Sequence, residues 1–110
     1  MKSVVKFADL KIKKAFEHLK QSKNEDKKLY DFIYRAINEL EKDPFTGLHI
    51  SKKLMPKLYV KKYNAQNLWK YDLPNGWRLI YTIKRNEILI VSVILEWFNH
   101  KNYERRFGYK

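Results

Sequence analysis

NLWKYDLPNGWRLIYTIKRNEILIVSVILEWFNHKNYERRFGY, Asn67 to Tyr109, decides the fold. Three of its runs, Leu68 to Leu73, Trp77 to Ile83 and Glu87 to about Trp97, are rich in β-branched and aromatic residues, the composition that fits a pleated, half-buried surface. Turn residues Pro74-Asn75-Gly76 and the polar Lys84 to Asn86 separate them, which predicts an antiparallel meander. A three-residue first turn sets Leu73 opposite Trp77, Tyr71 opposite Leu79 and Trp69 opposite Tyr81. Strand alternation then gathers the aromatic residues on one face, and leaves Asp72 beside Arg78 and Lys70 beside Ile80 on the other. A two-residue Arg85-Asn86 turn places Arg78 beside Val93 and lets Glu96 to Tyr103 run past the partner strand, back toward the sheet end that holds Asp72 and Arg78. His100 and Tyr103 are thus expected near Arg78.

Upstream of the meander the apolar spacing is helical. Val4, Val5 and Phe7 make a short first strand, and Asp9 caps a helix carrying Ile12, Ala15, Phe16 and Leu19 that ends near Ser22. Asn24, followed by Glu25 and Asp26, starts a second helix with Leu29, Ile33, Ala36, Ile37 and Leu40 on one stripe, closed by Pro44. The short polar loop between them predicts an antiparallel helical hairpin, packed against the aromatic face of the sheet. From Phe45 to Gln66 no period dominates; Pro56 suits the first position of a short helix around 56–63, with Lys57, Lys61 and Lys62 facing solvent. The expected fold is α+β: an N-terminal strand and a helical hairpin on an antiparallel sheet, in one domain over 1–110.

With 110 residues and 45% hydrophobic composition the chain can bury a core. Its formal net charge of +12 divides into about +5 over residues 1–55 and +7 over 56–110. Pro44 to Tyr71 holds six lysines and no carboxylate, so a polyanion is the expected partner, nucleic acid first. The absence of cysteine excludes disulfides, thiolate metal sites and cysteine nucleophiles. Three glycines and no HExxH motif leave neither a phosphate-cradling loop nor a metal signature, and no metal or cofactor is expected. Without an apolar run of membrane-spanning or signal-peptide length, the chain reads as cytoplasmic, with no membrane partner.

The chemistry-bearing residues gather in the meander and its tail. Metal-independent RNA cleavage needs a base for the ribose 2′-hydroxyl, cations for the phosphate charge and an acid for the 5′-oxygen. Arg78 and Lys70 suit the phosphate, and His100 and Tyr103 suit proton transfer. His18 and His49 read as structural or surface residues. The three tryptophans, with Tyr71 and Tyr81, read as core; Tyr103, Phe107 and Tyr109 are less constrained by alternation and could stack on bases.

Taken with the element order, LWKYDLPNGWRLIYTI and HKNYERRFGY make the chain similar to the RelE/ParE superfamily of toxins, closest to the RelE-like messenger-RNA interferases. The resemblance implies a small α+β toxin of a type II toxin-antitoxin system. Such a toxin cleaves mRNA in the ribosomal A site to a 2′,3′-cyclic phosphate, needs no cofactor, and is silenced by an acidic antitoxin. By position, Arg78 matches the phosphate-stabilising arginine and Lys70 the first of two strand lysines. Asp72 replaces the second lysine: it either pairs with Arg78 or takes the general-base role that a glutamate fills in some relatives. His100 and Tyr103 match the family's tail. On charge alone, and not from the resemblance, Lys52, Lys53 and Lys57, with Lys61, Lys62, Arg105 and Arg106, are expected to grip message or ribosomal RNA. The same fold also carries ParE-like gyrase poisons, and a catalytically inactive RNA-binding module is the third reading.

Overall fold

A computed structural model gives the structure and describes residues 1–108. Strand β1 (Lys2–Phe7) leads into helices α1 (Leu10–Lys20) and α2 (Glu25–Lys42), then into a short strand β2 (Leu48–Ile50). A 3₁₀ turn (Lys52–Leu54) and helix α3 (Lys57–Tyr63) precede β3 (Leu68–Asp72), β4 (Arg78–Arg85), β5 (Leu89–Phe98) and helix α4 (His100–Phe107). The fold is α+β, as expected. Its sheet has the order β1-β5-β4-β3-β2; the meander pairs antiparallel, whereas β1 pairs parallel to β5, so the sheet is mixed rather than purely antiparallel.

Local chemistry accounts for the helix ends. Asp9 Oδ1 accepts from Ile12 N at 2.9 Å, satisfying one of the donors that a helix start leaves without an intrahelical partner. Asn24 takes the N-cap position of α2, but at φ 58° its side chain makes no capping bond, so Glu25 and Asp26 supply the favourable charge there instead. The α2 end falls at Asp43, whose carboxylate accepts from Phe45 N at 2.9 Å. At α3, Pro56 is the N-cap rather than the first helical residue, while Lys57, Lys61 and Lys62 are exposed as expected.

The β3–β4 hairpin follows the expected register: Trp69 faces Tyr81, Tyr71 faces Leu79, Lys70 faces Ile80 and Asp72 faces Arg78. Leu73 N donates to Trp77 O at 2.8 Å and closes the Pro74-Asn75-Gly76 loop, in which Asn75 (φ 61°) and Gly76 (φ 78°) take the left-handed backbone that asparagine and glycine tolerate.

The β4–β5 register differs from expectation. Arg85 faces Ile90, because Asn86 Oδ1 accepts from Ile88 N (3.0 Å) and Leu89 N (2.9 Å) and builds a four-residue turn over 86–89. A register shift between Ile80 and Tyr81 adds a bulge, so Tyr81 faces Ile94 while Ile80 faces Glu96. Arg78 consequently stands opposite Phe98, not Val93. The final strand therefore ends beside Arg78 without overshooting, and α4 starts at once.

Two cores result, one on each face of the sheet. Leu79, Tyr81, Ile83 and Ile94 pack with Phe16 of α1 and Leu29, Ile33, Ala36 and Leu40 of α2, the aromatic face turning to the helical hairpin as expected. Opposite them, Leu68, Ile80, Val93 and Leu95 pack with Tyr59 of α3 and with Tyr103 and Phe107 of α4. The short helix expected around 56–63 is thus joined by α4, an element the sequence reading did not assign, to form a second helical layer. Asn99 Oδ1 caps α4 by accepting from Asn102 N at 2.9 Å, and Gly108 (φ 74°) ends it. Among the described residues no helix is long and apolar enough to cross a membrane.

Candidate functional site

At the sheet end next to the Pro74-Asn75-Gly76 turn, the face covered by α4 carries a row of Asp72, Arg78 and Phe98, one residue from each strand of the meander. The neighbouring row is Leu48, Lys70, Ile80 and Glu96. Strand pairing thus brings Lys70, Asp72 and Arg78 together. Arg78 Nε lies 3.0 Å from Asp72 Oδ1 and Lys70 Nζ 3.8 Å from the same oxygen. The Nε–H is not aimed at that oxygen: the pair is in ionic contact, but the buried Nε has no hydrogen-bond acceptor among the described residues. A second guanidinium nitrogen donates to the Trp77 carbonyl at 3.2 Å.

Tyr103 reaches this cluster from α4. The Arg78 Cζ lies 5.7 Å and the Lys70 Nζ 5.3 Å from the centroid of its ring, so two cations share one aromatic ring. Tyr103 is only 4% exposed, and Phe107, stacked on it at 4.6 Å, is buried as well. That burial removes both as base-stacking platforms, against expectation: amphipathic α4 turns the two rings into the core. Tyr109 lies outside the described residues.

His100 opens α4 beside the turn, its Cβ 3.5 Å from where a Cβ on Gly76 would stand. Its imidazole is exposed and turns along the helix, Nε2 lying 2.9 Å from Glu104 Oε1. The structure therefore brings His100 to the expected end of the sheet, with its ring engaged by Glu104.

Glu96 is the residue that sequence reasoning missed. The bulge turns both Leu95 and Glu96 to the α3/α4 face, where Tyr59 donates its hydroxyl proton to Glu96 Oε2 at 2.6 Å and Arg106 donates to Oε1 at 3.2 Å. Burial, then Glu96, drives the Tyr59 phenol far above its usual range. A lone carboxylate inside the apolar run Val91 to Phe98 is the signal that could have found it. Two strand spacings, about 10 Å, separate Glu96 from Lys70.

Of the grip residues, Lys52 and Lys53 lie in the 3₁₀ turn and Lys57, Lys61 and Lys62 on α3, all exposed. Arg105 and Arg106 line a hollow with Phe98 and Asn102, and Arg106 is also paired with Glu96 and lies over the Phe98 ring at 5.5 Å. The cluster can hold a phosphate between Arg78 and Lys70 once Asp72 yields them.

No protein-family model matches the chain, nor does any curated protein or solved structure.

Proposed function

We propose that this protein is a metal-independent endoribonuclease of the RelE-like kind, the toxin of a type II toxin-antitoxin system, cutting mRNA in the ribosomal A site. The observation that carries this reading is the pairing of Arg78 and Lys70 on the buried Tyr103 ring, beside an exposed histidine. A scissile phosphate entering there displaces Asp72 and takes both cations, which stabilise the charge that grows on its oxygens. The ribose 2′-oxygen then bonds to phosphorus as the bond to the 5′-oxygen breaks, leaving a 2′,3′-cyclic phosphate. Asp72, released from Arg78, receives the 2′-hydroxyl proton, and His100, released from Glu104, delivers one to the departing 5′-oxygen. Tyr103 is a positioning residue for the two cations. Lys52, Lys53, Lys57, Lys61, Lys62 and Arg105 add phosphate contacts on the same side of the sheet. The partners are mRNA and ribosome, with an acidic antitoxin as inhibitor, in the cytoplasm.

A second reading, a catalytically silent RNA-binding module, is favoured by the two carboxylates that already engage Arg78 and His100 at 3.0 and 2.9 Å. Primer extension on a translated message after brief induction separates the two. New cut sites that vanish with Arg78→Ala and with His100→Ala support the nuclease. An intact message sinks it, and growth arrest without cleavage would turn attention to a ParE-like action on gyrase.

A further inference from the structure

Away from the Arg78 cluster, the other end of β4 carries a feature that the cleavage chemistry does not use. Phe45 and His49 both stand edge-on to Trp69, with ring centroids 5.6 and 5.0 Å away and interplanar angles of 61° and 62°. Trp69 is half-buried and backed by Tyr81 at 6.2 Å, whereas Phe45 is 47% exposed and His49 is exposed. The rings line a hollow of about 240 Å³ whose rim is Arg85. A second hollow of about 250 Å³ adjoins it, sharing Asn67, Ile83 and Arg85 and adding Lys84 with the exposed amides Asn64 and Gln66. Among the described residues that line the two hollows none is acidic.

An aromatic notch that opens onto cationic and amide groups has the chemistry of a single-stranded nucleic-acid subsite: every base has a face that stacks, and the backbone follows positive charge. Arg85 lines both hollows and shares the strand face of Trp69 and Ile83, so one base in the notch puts its phosphate toward Arg85, whereas Lys84 turns to the other face, where its Nζ donates to the Tyr63 carbonyl at 3.4 Å. Asn67 does not compete for the ligand, because its amide bonds the Ile83 backbone in both directions at 2.8 Å and holds the groove floor. Seven residues of extended strand, about 23 Å, separate Arg85 from Arg78.

We infer that this groove is a second RNA subsite, which stacks one base on Phe45, His49 and Trp69 and holds the adjoining phosphate on Arg85, distant from the bond to be cut. The inference rests on the nucleic-acid reading proposed above but not on cleavage.

Fluorescence anisotropy with a labelled 2′-O-methyl oligoadenylate, which cannot be cut by 2′-hydroxyl attack, tests it against the same strand carrying abasic spacers. Phe45→Ala and His49→Ala should each weaken binding of the base-bearing strand by about tenfold and leave the abasic strand unaffected; Arg85→Ala should weaken both. Equal losses on the two strands with the ring variants, or none on either, would overturn the subsite and leave the notch to a protein partner. Both rings are exposed, and unchanged circular dichroism verifies that the variants fold. An uncut message with the expected oligonucleotide pattern sinks the nuclease alone, and a cut message with unaltered ring variants sinks the subsite alone.

Discussion

Asp72 and Arg78 stand directly opposite one another on β3 and β4, with Arg78 Nε 3.0 Å from Asp72 Oδ1, and the same oxygen lies 3.8 Å from Lys70 Nζ. One carboxylate therefore occupies the two cations that a phosphate would need. Asp72→Asn should increase affinity for a non-cleavable single-stranded RNA and steepen its salt dependence, log K against log salt becoming more negative by about 0.7 for each phosphate newly engaged. An unchanged slope would mean that Asp72 does not compete with phosphate. If Asp72 also serves as base, the same variant binds more tightly and cuts more slowly.

The contact between Tyr59 and Glu96 ties α3 to the bulged strand. Tyr59→Phe leaves a carboxylate oxygen without its buried donor and should cost about 1.5–3 kcal/mol, the range for hydrogen bonds to charged groups. Urea denaturation measures this, and a double-mutant cycle with Glu96→Gln isolates the pair. A loss below about 0.5 kcal/mol would mean that solvent replaces the phenol.

Gly47 is the crossing point of β3 and the loop after α2. A Cβ there would stand 2.5 Å from Tyr81 Oη and 2.6 Å from the Lys70 carbonyl oxygen, and the latter belongs to strand backbone that cannot swing away. Gly47→Ala should therefore destabilise the fold by about 1–3 kcal/mol, as overpacking does. A thermal melt unaltered from wild type would refute the crowding.

Tyr81 predicts an alkaline limit to stability. Burial pushes its phenol up to about 12, with Asp43 and Tyr71 adding to the rise and the Gly47 amide opposing it. A phenol whose pKa is higher folded than unfolded contributes its full stability below pH of about 10 and loses it as pH rises toward the folded value. Between pH 9 and 11 the wild type should lose about 1.4 kcal/mol more than Tyr81→Phe, read from urea midpoints at each pH. Parallel losses in the two proteins would show that Tyr81 ionises no later than an ordinary tyrosine.

Features that depend on near neighbours were legible in the amino-acid order. Pro74-Asn75-Gly76 is a turn whose backbone demands are met within its own residues, so it pinned the β3–β4 register and with it the adjacency of Lys70, Asp72 and Arg78. The helical stripes of α1 and α2 were legible for the same reason, their repeat lying within a turn or two of helix. Where β5 stops, by contrast, depends on contacts remote in the chain. Its register follows from the Asn86 side chain lengthening a turn that two residues could have made, and from a bulge that serves both cores by turning Leu95 and Glu96 to one face while Ile94 and Trp97 keep to the other. The second layer was hidden likewise: α4 is a polar helix with two buried rings, Tyr103 and Phe107, and nothing short of the sheet face beneath them determines which way they turn. His100 shows the limit most directly, since strand order carried its backbone to the Arg78 end while a one-turn helical contact with Glu104 set the direction of its ring.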